Sequence, residues 1–180
     1  SSAAAVGPTP VILGGAYDDK VSCVRQTSDG GFILTGHTYS FGNGHSDILL
    51  IKTNSSGGEE WTKTFGGSEA EYAFAGRETT EGGYIITGYT KSFGNGGVDV
   101  WLIKTDSNGN EEWNRTFGES GHDYARSVQQ TEDGGYLLAG QFDGDDSIWG
   151  FNYNNSTEMF LIKTDAQGNI DTNVPDLNTK

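Results

Sequence analysis

Positive charge is scarce in this sequence: 11 Lys and Arg stand against 25 Asp and Glu, a formal charge of -14. A surface of that sign repels phosphate backbones and anionic headgroups, which argues against nucleic acid and acidic membranes as partners. Cysteine is nearly absent. The single thiol, Cys23, cannot form an intramolecular disulfide, so no disulfide framework staples the fold and the redox compartment stays open. No run of about 18 apolar residues occurs, so no segment reads as a membrane span. Catalytic signatures are missing too. No nucleophile-elbow glycine pattern surrounds any Ser. His37, His45 and His122 lack Cys or His neighbours at metal spacing, which argues against zinc. The sequence carries no positive sign of an enzyme.

What the chain has is glycine and aromatic residues. Gly accounts for 28 of 180 residues, about twice the usual share, so turns are dense and a helical bundle is disfavoured. Nine Phe, eight Tyr and four Trp supply the bulk for a core.

The dominant signal is a repeat. Leu13-Gly14-Gly15, Phe65-Gly66-Gly67 and Phe117-Gly118-Glu119 are 52 residues apart, as are Gly30-Gly31, Gly82-Gly83 and Gly134-Gly135. Ile51-Lys52-Thr53 returns at Ile103 and again at Ile162, the longer last step reflecting a seven-residue insertion in the third copy. Each unit holds four strand-like runs. In the second and third copies these read as Tyr124 to Thr131, Tyr84 to Thr90, the nearly all-apolar Val100 to Thr105, and the alternating Glu112 to Phe117. Glu132 to Gly135 and Asp106 to Gly109 are hairpin turns.

Four short antiparallel strands per ~50 residues is the pattern of a propeller blade. The fold expected is therefore an all-β propeller of three four-stranded blades over residues 9–172, with blades starting near 16, 68 and 120. An opening strand at 9–13 aligns with the fourth strands. Residues 1–8 read as a flexible segment, left by signal-peptide removal or serving as a linker, and 173–180 as a tail. Three blades do not close a ring, and an open arc exposes an apolar face at each end. Strand exchange between two copies, giving a six-bladed homodimer, is the expected remedy. A fragment of a longer array and a compact non-propeller arrangement are the alternatives.

The motifs Asp123-Tyr124, Gln130-Thr131, Asp133 to Tyr136, Ser92 to Gly94, Leu102 to Asp106 and Trp113 resemble the kelch-like β-propeller repeats of secreted and cell-surface proteins of bacteria and archaea. The resemblance covers residues 11–170 and implies export and a propeller. It implies no single activity and no catalytic residue. The third copy departs from the pattern at Glu119, at Thr172 where Trp is expected, and in its insertion.

Strand order places every long loop on one rim, the usual ligand face of such a scaffold. Asp19, Glu71 and Asp123 precede the first strands there, and Asp47, Asp99 and Glu158 the third. Two readings apply to the first set: a cation site, with calcium as the candidate cofactor, or turn bracing by carboxylates that accept backbone N–H groups. Bracing is the better of the two. The insertion adds Asp145, Asp146, Trp149, Phe151 and Tyr153, rings and polar groups suited to a sugar or peptide, or to covering the channel or packing on a partner. The expected function is an extracellular binding or cell-surface interaction module for carbohydrate or peptide. The alternatives are a hydrolase or lyase using rim carboxylates and a structural envelope component.

Overall fold

A computed structural model describes residues 10–118, 121–143 and 157–171. The described residues form eleven strands and no helix. The first sheet is β1 (Asp19–Gln26), β2 (Phe32–Thr38), β3 (Asp47–Thr53) and β4 (Glu59–Phe65), in that spatial order and antiparallel throughout. The second repeats it with β5 (Glu71–Glu78), β6 (Tyr84–Thr90), β7 (Asp99–Thr105) and β8 (Glu111–Phe117). The third has three strands, β9 (His122–Gln130), β10 (Tyr136–Asp143) and β11 (Thr157–Thr164). The 52-residue period thus marks one meander sheet per repeat, with every residue of β3 and β7 buried, as their apolar runs require.

Within the single chain residues 10–14 pair with no strand, and the fourth-strand position beside β11 holds only a bridge from Thr164 to Ile170. The segment still lies where a preceding fourth strand belongs. Val11 contacts the hairpin at Gly57, just as Lys63 of β4 crosses Gly109 and Arg115 of β8 crosses Gly168.

The sheets stack face to face. Ile33, Ile48 and Leu50 of the first pack on Tyr84, Ile86, Trp101 and Ile103 of the second. The opposite face of the second, Ile85, Val100 and Leu102, packs on Tyr136, Leu138, Phe160 and Ile162 of the third. Trp61 and Trp113, the in-register fourth-strand tryptophans, sit at these two seams against Tyr84 and Tyr136. Backbone bonds stitch the sheets at one edge, where Glu71 N–H donates to Ser46 O (2.8 Å) and Asp123 N–H to Val98 O (2.7 Å).

One irregularity recurs in every repeat. β1, β5 and β9 each carry a bulge, leaving Ser22, Phe74 and Arg126 without a partner in the ladder. Opposite the bulges stand Gly36, Gly88 and Gly140, and a Cβ on Gly88 would lie 1.8 Å from the Tyr72 carbonyl oxygen. Only glycine allows that approach.

Candidate functional site

The rim carboxylates stand one to each sheet. Asp19 accepts from Gly15 N–H (2.7 Å), from Ser40 Oγ (2.8 Å) and from the Thr38 hydroxyl. Burial works against its charge, but these donors hold the carboxyl below its ordinary range. Glu71 accepts from Gly67 N–H (2.8 Å), Thr90 Oγ1 (2.9 Å) and Ser92 N–H (3.0 Å). These donors fix the links on either side of each strand. Among the described residues no three His, Cys, Asp or Glu side chains gather closely enough to hold a metal ion.

The structure instead pairs carboxylates across the seams. The space beside Gly66 is occupied by Asp47 Oδ1 of the first sheet and Glu71 Oε2 of the second; Asp99 Oδ1 and Asp123 Oδ2 meet in the same way around Gly118. Asp47 is only 2 % exposed, and while its Oδ2 accepts from Asn43 N–H (2.7 Å), its Oδ1 has no donor. Burial, with the Glu71 charge adding to it, pushes the Asp47 carboxyl up to about 6. A carboxyl whose folded value is raised stabilises the fold while protonated, and that contribution is lost as pH rises from about 4 through 6. Asn at this position keeps the bond to Asn43 and offers Glu71 a donor without a charge. Asp47→Asn is therefore expected to match the parent at pH 4 and to exceed it by up to about 3 kcal/mol at pH 8, read from chemical denaturation at the two pH values. Equal stabilities at pH 8 would refute the paired-carboxylate account.

Next to these pairs an aromatic cluster spans all three sheets. Tyr72 stacks on Tyr89 at 5.0 Å between ring centroids and meets His37 at a tilt of 44° and 4.0 Å, and Tyr124 meets Tyr89 edge-on at 5.3 Å. The Tyr39 and Tyr72 hydroxyls are hydrogen-bonded, and His45 leans on Tyr39. The four tyrosines are half-buried. Burial, with the Lys20 charge, lowers the His37 pKa, so this imidazole is neutral at pH 7. Tyr72 and Tyr124 are in register, as are His37 and Tyr89. Reading the Asp123-Tyr124 motif as structural passed over this set, although its 52-residue spacing was the available sign.

Beyond the cluster the first strands flank a cleft of about 300 Å³, lined by the three bulge residues Ser22, Phe74 and Arg126 together with Arg25, Arg77 and Ser127. No carboxylate lines it. The rim carboxylates described above lie in the seams and not on the walls of this cleft. Asp145, Asp146, Trp149, Phe151 and Tyr153, expected from sequence to bind ligand, lie outside the described residues. Comparison of the sequence with known protein-family models and with curated proteins finds no match. No helix among the described residues is long and apolar enough to cross a membrane.

Proposed function

We propose that this chain is an exported binding module whose ligand, a carbohydrate or a peptide, is held on the long-loop rim at the mouth of the cleft. The observation that carries the reading is the cluster of Tyr39, Tyr72, Tyr89 and Tyr124, a contiguous set of half-buried rings with hydroxyls, on or next to paired strands. Rings of this kind stack on the apolar faces of sugars and side chains while hydroxyls fix orientation. Residues of the third-repeat insertion, with Trp149, Phe151 and Tyr153, extend the same rim in the sequence. Placement outside the cell rests on the resemblance of the repeat motifs to exported propellers.

The proposal includes a six-bladed ring of two copies. Its support is a mismatch of burial between equivalent positions. Ile48 and Val100 are fully buried, whereas Met159, at the same place in the third repeat, is 93 % exposed; Leu50 and Leu102 are fully buried and Leu161 is 63 % exposed. At the other flank Val21 is 53 % exposed where Ala73 and Ala125 are fully buried. The back of the third sheet thus carries residues that meet a next sheet in the other repeats, and on the first sheet β1 leaves Val21 and Val24 open where a preceding sheet would pack. Two such contacts about a twofold axis close the ring.

The ligand reading is tested on a glycan and peptide array with the parent protein, Tyr124→Ala and the double variant Tyr39→Phe/Tyr72→Phe. At least one glycan or peptide is expected to bind, with about tenfold loss in Tyr124→Ala and a smaller loss in the double variant. Absence of any bound ligand, or binding indifferent to all three changes, defeats it.

A further inference from the structure

We propose that the cleft between β1, β5 and β9 binds a small oxyanion, a carboxylate or phosphate group, through Arg25, Arg77 and Arg126. The chain has four arginines, and three of them line this one cleft. That placement runs against the rest of the molecule, in which carboxylates outnumber cations more than two to one. Three of the buried or half-buried lysines behave otherwise: Lys52 bonds Asp29 and Glu60, Lys104 bonds Glu112, and Lys163 bonds Asp133. Among the described residues none of the three cleft arginines has a carboxylate within ion-pair distance. Three guanidinium groups around one cleft repel each other, and an anion between them relieves that repulsion with paired N–H donors.

The positions are set by protein contacts. Arg77 Nε donates to the Val128 carbonyl at 2.8 Å, tying β5 to β9. The Arg126 guanidinium lies 4.2 Å over the Phe74 ring and 5.5 Å from that of Tyr124. Arg25 Nη1 donates to Val24 O at 3.2 Å. Arg126 and Phe74 are bulge residues, and a bulge turns a side chain out of the ladder toward a site. Ser22 and Ser127 place two hydroxyls on the same walls. The volume suits a single small molecule, and the charge of the surrounding surface turns away extended polyanions.

All three arginines belong to one chain, so the site needs neither ring closure nor the aromatic rim, and its failure is separable from theirs. The test is titration calorimetry of the full chain with inorganic phosphate, with glucuronate and with glucose as the neutral control. Phosphate or glucuronate is expected to bind with a dissociation constant of about 1 mM or tighter, and glucose at this site not at all. Arg25→Gln and Arg126→Gln each weaken the anion about tenfold or more, while Arg115→Gln, on β8 away from the cleft, leaves it unchanged. Binding of phosphate alone identifies a phosphorylated ligand, and binding of glucuronate alone an acidic sugar. The proposal is overturned if neither anion binds at about 10 mM, or if Arg115→Gln costs as much as the cleft variants. Melting curves show that each variant is folded, and Arg25, exposed on β1, supplies a substitution that disturbs no packing.

Discussion

Replacing Met159 and Leu161 together by aspartate is expected to halve the mass of the protein in solution. In the proposed ring both side chains leave water against Val21 and Val24 of the second copy, as Val100 and Leu102 do against the third sheet of the same chain. A carboxylate forced into such a contact is desolvated without a partner. Association weakens by about 3 kcal/mol or more, over a hundredfold in dissociation constant. The folded chain itself loses nothing, because both positions face solvent in the single copy. Val24→Asp on the opposite flank gives the same result, since one kind of contact joins the two flanks. Light scattering on the parent protein is the direct check, and a parent of single-chain mass at micromolar concentration would remove the ring.

The second large effect falls on stability. Gly88→Ala sets a methyl group 1.8 Å from the Tyr72 carbonyl oxygen, and the main chain of β5 must move for it to fit. Moving that strand disturbs the bulge at Phe74 and the buried Ala73 at the first seam. The cost is about 3 kcal/mol, a fall in melting temperature of roughly 6–12 °C. Gly82→Ala is the contrast. That turn glycine has a φ of 87° but nothing within 4 Å of its Cβ position, so its cost is about 1 kcal/mol and purely conformational. Thermal denaturation of the pair separates close approach from backbone strain.

Much of the framework was legible in the residues. The run Tyr84 to Thr90 is β6 as read, and the unbroken apolar series from Val100 marked β7 as buried on both faces because alternation was absent. The Gly-Gly turns gave the hairpins for a local reason, since a turn is written in adjacent residues. What joins different repeats was not legible. Asp47 aligns with Asp99 and Glu71 with Asp123, yet the contacts run between the two sets, across a seam that no one-dimensional period reveals. Arg25 and Arg77 are in register, but Arg126 aligns with Ser22 and Phe74, and only the bulges bring the three to one cleft. Val11 to Leu13 has the pattern of a strand, but a strand needs an edge to pair with, and no described edge lies beside it.

Among the described residues the middle sheet has a neighbouring sheet on each side, Trp101 packing toward one and Leu102 toward the other. It serves as the keystone of the arc. The two outer sheets share neither of these apolar cores, so their packed interiors meet only through the middle sheet, while at the cleft β1 and β9 stand beside β5 and face one another's arginines directly.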